Sequence, residues 1–256
     1  MANAREIDPQ RVREVLRACG CPWPAPHYVE STGSTNADAL SAARVGVLDG
    51  TCFVAGEQTA GRGRQGRAWV SDPGAGLWCS TALRDVGEPT RAPITAALAI
   101  VDAARELAGP EVTIKWPNDV LAGNGRKIAG ILVEAASEAV VVGIGINVDY
   151  PSDALPDPRA TSWFLETGAH PDRTELLAAL LVNLHGRIAQ PFEQVLADYR
   201  SCSSTVGAPV HVLLPGGEEL TGIAEDVDKS GHLLLRSGET VRTIVAGDVI
   251  HATIQR

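Results

Sequence analysis

The chain has 256 residues, 45% hydrophobic and 21% charged. That is the range of ordinary soluble globular proteins, and it suits one large domain or one of about 200 residues with a small companion. Its net charge of −9 argues against a nucleic-acid partner, because such surfaces carry a basic surplus.

Five cysteines with no CxxC pair suggest neither a disulfide framework nor a zinc site. The N-terminus MANAREIDPQRVREV has no apolar core, and no run approaches the roughly 18 apolar residues of a membrane span. The expectation is a reduced, cytoplasmic protein with no membrane association. Asp8-Pro9 reads as a helix start, a capping carboxylate followed by proline in the first turn. Val12, Val15, Leu16 and Cys19 recur at helical spacing and Gly20 ends the segment, which is too short to be a winged DNA-binding domain. Ser34 or Thr35 opens a second helix, NADALSAARVG. TCFVAG (51–56) and LWCSTAL (77–83) read as strands on either side of a glycine-rich loop. PITAALAIVDAARELAG (93–109) predicts a helix, VTIKW (112–116) a strand, and DVLAGNGRKIAGILVEA (119–135) a hairpin turning at Asn124-Gly125. AVVVGIGINV (139–148) follows as an apolar strand, residues 150–160 as a loop, and DRTELLAALLVNLHGRIAQ (172–190) as a long helix. SCSST (201–205) reads as a linker. From 206, short alternating strands are broken by PGG, DKSG and RSGE, the texture of a small β-barrel of about 50 residues. The sum is an α/β domain of about 200 residues followed by a barrel.

The loop EQTAGRGRQGRAW (57–69) threads Arg62, Arg64 and Arg67 between Gly61, Gly63 and Gly66. GRGRQG matches the dinucleotide pattern GxGxxG. That loop, however, must open into a helix whose N-terminus holds the pyrophosphate, and the RAWVSDPGAG that follows would break one. The chain contains no GxxxxGK[ST]. A plain exposed turn with solvated arginines is the bland alternative. The pattern fits better a loop kept mobile by glycine, whose arginines offer forked donors to carboxylate and phosphate and whose Trp69 supplies an apolar lid.

In KWPNDV (115–120), Lys115 is a cation at a strand end, Asn118 can read a base edge, and Asp119 can hold Mg²⁺ through oxygen. A proline turn with an Asn-Asp cap would look the same. Lys127 stands just past the Asn-Gly turn, where an ordinary hairpin lysine is solvated, and Gly130 permits close approach to the sheet. GIGINV (143–148) has glycines at alternate positions, so one strand face is bare: a floor for a flat ligand, or a tight packing spot. The hydroxyls and amide of STGSTNADAL (31–40) can cap the helix or grip a polar ligand head.

GSTN (33–36), EQTAGRGRQGRAW, KWPND, GRKIAGILVE and GIGINV occur in the order and approximate spacing of bacterial biotin protein ligases. The chain resembles that family over about residues 28–255, and GRGRxGRxW with KWPND separates it from lipoate ligases and octanoyltransferases. The resemblance implies an α+β fold. A class II aminoacyl-tRNA synthetase-like catalytic domain, a mostly antiparallel sheet flanked by helices, would span 1–203, and an SH3-like β-barrel 204–256. It implies two steps: biotin and MgATP give biotinyl-5′-AMP and pyrophosphate, and a lysine then takes the biotinyl group. That lysine belongs to the biotin carboxyl carrier protein or domain of acetyl-CoA carboxylase, or of a related biotin enzyme.

By the same resemblance, Ser34, Thr35, Asn36 and Gln58 match the positions that grip the ureido head of biotin. Gly61, Arg62, Gly63, Arg64, Lys127 and Gly130 complete the biotin site. Arg62, Arg64 and Lys127 match the catalytic positions. Arg62, Arg64, Trp69, Lys115, Asn118, Lys127 and Asn147 would face ATP, and Asp119 would help with Mg²⁺. About 27 residues precede the matching region, so the likeness is to the monofunctional group lacking an N-terminal DNA-binding domain, a monomer or ligand-dependent dimer. The alternatives are a lipoate ligase or octanoyltransferase relative and a biotin-responsive regulator. Octanoyltransferases use a cysteine nucleophile, and Cys79, within an apolar strand, reads instead as core.

Overall fold

Helix α1 (Pro9–Ala18) begins where the sequence places it: the Asp8 carboxylate accepts from the amides of Gln10 and Arg11, with proline in the first turn. The computed structural model describes residues 6–84, 86–136 and 139–251. Residues 1–5 and 252–256, the outer ends of the two expected domains, lie outside the described residues. Strand β1 (His27–Thr32) and helix α2 (Thr35–Val45) follow, then β2 (Thr51–Gln58), β3 (Gly76–Leu83) and the long helix α3 (Ala92–Glu106). Strands β4 (Val112–Lys115), β5 (Asp119–Ala122), β6 (Lys127–Ala136) and β7 (Ala139–Asn147) come next, and then α4 (Trp163–Thr167), α5 (Arg173–Ile188) and α6 (Phe192–Cys202). The remaining strands are β8 (Pro209–Leu213), β9 (Glu219–Val227), β10 (Leu233–Ser237), β11 (Thr240–Ile244) and β12 (Asp248–His251).

The first sheet has the order β1-β2-β3-β7-β6-β5-β4, antiparallel except for the parallel pair β1/β2. Its middle strands β3 and β7 carry near-continuous apolar runs because helices cover both faces. Val142, Ile144 and Ile146 belong to the same buried core as α3 and α5, whereas Val141 and Ala82 pack against Ala39 of α2. Registry then determines the α2 face. Ser80, Gly143 and Leu132 form one cross-strand row, and Trp78, Gly145 and Gly130 form the next. Side chains alternate along a strand, so both rows lie on the face of Val141.

The second sheet, β11-β10-β9-β8-β12, is antiparallel throughout. Its inward residues, among them Val210, Val212, Leu233 and Val249, are continuous with the core of the first sheet. Segment 201–205 is no linker. Ser201 and Cys202 close α6, Ser203 bridges Ile114, and the Thr205 hydroxyl accepts from the Trp116 amide at 3.0 Å. The Trp116 indole donates to Gly231 O at 3.0 Å, pinning the second sheet to the first. Sequence periodicity passes over β1, α4 and α6. β1 is an edge strand mostly open to solvent, and α4 has only five residues. No helix among the described residues is long and apolar enough to cross a membrane.

Candidate active site

The two glycine-bearing rows are the floor of a cavity of about 680 Å³, a volume that suits a small-molecule ligand. Every expected site residue except Gly61 lines it. Gly61 stands behind: a Cβ there would lie 2.3 Å from Trp69 O and 3.2 Å from Gln58 Nε2.

At one end is a buried polar head. Ser34 precedes α2 without a side-chain cap; it is buried and lines the cavity. Gln58 Oε1 accepts from the Thr35 amide at 2.9 Å and lies 3.1 Å from the Thr35 hydroxyl, while Gln58 Nε2 donates to Ser71 Oγ at 2.8 Å. Thr35 Oγ1 lies 2.8 Å from Ser80 Oγ, which donates to Asn36 Oδ1 at 2.6 Å. Asn36 Nδ2 donates to Glu134 at 2.8 Å. Asn36 fits because Gly143 has no side chain; a Cβ there would stand 2.0 Å from its Oδ1.

The bare strand face expected from GIGINV is present, and side chains pack closely on it: Asn36 on Gly143, and Trp69 on Gly145 and Gly130. A Cβ on Gly145 would meet the indole at 2.5 Å, and one on Gly130 at 2.8 Å. The indole Nε1 is buried with no partner among the described residues. Gly61 O accepts from the Trp69 amide at 2.9 Å, Gly63 N donates to Arg67 O at 2.7 Å, and Arg62 bridges Ala68, so loop 61–69 is a tight hairpin turned through Arg64–Gly66.

The loop arginines are held by partners far along the chain. Arg62 pairs with Glu134 at 2.8 Å. Arg64 reaches Asn118 Oδ1 at 3.1 Å, Gly247 O at 3.4 Å and Asp248 at 3.6 Å, and Arg67 reaches Asp248 at 3.0 Å. Burial lowers the Arg64 pKa, opposed chiefly by the Asp248 carboxylate. Burial likewise lowers Lys115, opposed by Asp119 and assisted by repulsion from Lys127 and Arg159. Lys127 Nζ lies 2.6 Å from Asp119 Oδ1 and 5.0 Å from the Trp69 ring centre. Lys127, Lys115, Arg64 and Arg159 line one end of the cavity; Asp119, Asp248 and Asp157, which line it too, pair with Lys127, Arg64 and Arg159 and hold those cations in place.

Asp119, expected to help hold Mg²⁺, is engaged by Lys127. Among the described residues no three His, Cys, Asp or Glu side chains gather as a metal cage. One carboxylate fits a Mg²⁺ that arrives on phosphates, since that ion is commonly held by one or two carboxylates, water and substrate oxygens. Asn147 donates Nδ2 to Thr161 O at 3.0 Å, and its buried Oδ1 has no partner among the described residues. Cys79 lines the cavity, but its hydrogen bond with Cys52, and then burial, hold the thiol well above the usual cysteine value. It is a packed thiol, not a nucleophile.

Sequence reasoning missed Glu134, Ser80, Arg159 and Asp248. Glu134 and Ser80 had a usable signal: they are polar residues on the face of alternating strands that also carries the glycines. Asp248 had none, because only the packing of the second sheet brings it to the loop.

A model of the biotin/lipoate A/B protein ligase family matches residues 29–150, and one of the biotin protein ligase C-terminal domain matches residues 205–252. The chain is 42% identical to the biotin–[acetyl-CoA-carboxylase] ligase of Mycobacterium tuberculosis, over 96% of each. Its structure is similar to that of the Aquifex aeolicus biotin protein ligase in complex with biotin and ATP: TM-score 0.77, 27% identity, 89% of this chain and 99% of that one. It is also similar to the Leishmania major biotin protein ligase in complex with biotinyl-5-AMP: TM-score 0.63, 26% identity, 88% and 99%.

Proposed function

The chain belongs to the biotin protein ligase family, and from that premise we propose which of its side chains perform each part of the reaction. The protein is a ligase that attaches biotin to a lysine with ATP, through biotinyl-5′-AMP. The acceptor is the biotin carrier domain of acetyl-CoA carboxylase or of a related biotin enzyme. The single observation that carries the site reading is the continuity of one cavity: polar head, glycine floor and cationic end share the same walls.

Biotin enters with its ureido ring toward Ser34, Thr35, Asn36 and Gln58, and its carboxylate toward Lys127. In the first step a carboxylate oxygen attacks the α-phosphorus, the bond to the bridging oxygen breaks, and pyrophosphate leaves. Two anions must meet, so the rate depends on cations already in place. Lys127, steered by Asp119, and Arg64, held between Asn118 and Asp248, supply them. Asn147 Oδ1, without a partner among the described residues, accepts an amino proton from the adenine ring, and Trp69 covers the ring from the loop. Asp119 would be at most one protein ligand to the Mg²⁺ carried by ATP, which would screen the phosphate charge. In the second step the neutral lysine amine attacks the acyl carbon, the bond to the phosphate oxygen breaks, AMP leaves, and the amine loses a proton. The hairpin over the floor keeps water from the anhydride until then.

We divide the chain as a class II synthetase-like catalytic domain, 1–203, and an SH3-like domain, 204–256. The antiparallel core of the first sheet, its covering helices, and the five short antiparallel strands of the second support that division. The direct test is to incubate the protein with biotin, MgATP and a carrier domain and probe with streptavidin. Labelling that needs all three components is expected. No pyrophosphate release with biotin, or equal release with lipoate, overturns the reading.

A further inference from the structure

We propose that Glu134 is a positioning residue that sets the hydrogen-bond order of the biotin head subsite and couples it to Arg62 of the loop. The inference rests on the placement of the ureido ring above. A single oxygen, Glu134 Oε2, lies 2.8 Å from Asn36 Nδ2 and 2.8 Å from the Arg62 guanidinium. Glu134 follows two residues after Leu132 on the same face of β6, opposite Val141, so strand alternation aims it at the head.

A carboxylate only accepts hydrogen bonds, whereas an amide has one donating and one accepting end. Facing Glu134 at 2.8 Å, with the Leu132 carbonyl as a second, longer acceptor at 3.4 Å, Asn36 must turn its NH₂ toward the carboxylate and its Oδ1 toward Ser80. Ser80 then has to donate to Asn36, and its lone pairs receive the Thr35 hydroxyl. If the amide were turned over, Asn36 would donate to Ser80, Ser80 to Thr35 and Thr35 to Gln58 Oε1. The orientation of one buried amide therefore decides the direction of the whole hydroxyl chain. Asn36 is 4% exposed and confined by the backbone at Gly143. Turning the amide over exchanges two groups of similar size, so confinement alone does not set its direction. A ureido ring, one carbonyl acceptor between two N–H donors, is complementary to one order and not to the other. Because the same oxygen holds Arg62, the order of the head and the place of the loop arginine share one partner.

The test is to titrate biotin calorimetrically, without nucleotide, into the wild type, Glu134→Gln and Glu134→Asp. Affinity for a non-hydrolysable ATP analogue and the thermal midpoint are measured alongside. The glutamine amide can face Asn36 with either end and offers Arg62 no charge. Glu134→Gln should bind biotin at least tenfold more weakly, with a clearly smaller loss for the ATP analogue. Glu134→Asp keeps an acceptor-only group on a shorter arm and should recover part of the loss. Biotin affinity of Glu134→Gln within twofold of wild type overturns the proposal. So does an equal loss for biotin and nucleotide with a lowered thermal midpoint, which would mark a structural role only. Failure of the wild type to bind biotin would instead remove the head assignment itself, and this inference with it.

Discussion

Replacing Lys127 by Ala removes the cation that the cavity places against the reacting groups, and the structure indicates that the damage will exceed the loss of one charge. A unit charge about 3.5 Å from a phosphate oxygen is worth roughly 5 kcal/mol at an effective dielectric near 20. Only the part that grows on the way to the transition state changes the rate, and single preorganised contacts of this kind are worth about 10²- to 10³-fold. Asp119, 2.6 Å from Lys127 Nζ, is then left without its cation. Its carboxylate, ~6 Å from the phosphate, would oppose the incoming anion by roughly 3 kcal/mol on the same scale. Lys127→Ala should therefore slow pyrophosphate release by about 10³-fold, near the upper end of the single-contact range. The double variant Lys127→Ala, Asp119→Asn should be about tenfold faster than the single one, because the orphaned charge is gone. Folding should change little: the Lys127 side chain is about one-third exposed, and its backbone bonds to Arg159 and Thr161 remain. The assay is burst release of pyrophosphate with biotin and MgATP and no acceptor, with thermal midpoints as the folding check. A burst near the wild-type rate in Lys127→Ala would refute the assignment. A double variant no faster than the single one would refute the reasoning about Asp119.

Arg64→Gly removes the fork that joins the loop to Asn118, Gly247 and Asp248. It should release biotinyl-AMP and raise streptavidin-detected labelling of bystander proteins; a fall in carrier labelling alone would show that Arg64 is no latch. Biotin with MgATP together should slow tryptic cutting at Arg62, Arg64 and Arg67 far more than ATP alone, with Arg84 outside the cavity as control. Equal cutting with and without both ligands would reduce the loop to a solvated turn. Asn147→Ala deletes a buried acceptor that has no partner among the described residues and should weaken an ATP analogue about tenfold, leaving biotin affinity within twofold; an effect confined to biotin would move the adenine elsewhere. Burial lowers the Lys115 pKa in the folded state, so holding it charged opposes folding below its folded pKa, and that opposition fades as pH rises toward the ordinary lysine value. Lys115→Met should thus raise the thermal midpoint at pH 7 while slowing adenylation, and the stability gain should shrink toward pH 10; a gain that grows with pH would contradict the sign.

Local chemistry made much of this protein legible from its sequence. Asp8-Pro9 and Asp172 start helices through bonds made within a few residues, so no distant partner is needed to read them. The alternate glycines of GIGINV declare a bare strand face for the same reason, since side-chain alternation is a property of the extended backbone. The family motifs located the cavity, with Gly61 the one expected residue set behind it. Tertiary structure decided which groups face one another. Cross-strand registry sets Gly130 beside Gly145, and the loop's return puts Trp69 on that floor. The pairing of Arg62 with Glu134 spans 72 residues, and that of Arg67 with Asp248 spans 181. A charge pair is a matter of distance and shielding in space, and nothing in the local spacing of either residue encodes its partner. The α6 helix and the segment after it show the same division. Ser203–Thr205 has the composition of a linker, yet its backbone and hydroxyls meet donors and acceptors on Ile114 and Trp116, because every buried polar group there must be satisfied. That requirement acts between surfaces the chain brings together only when folded.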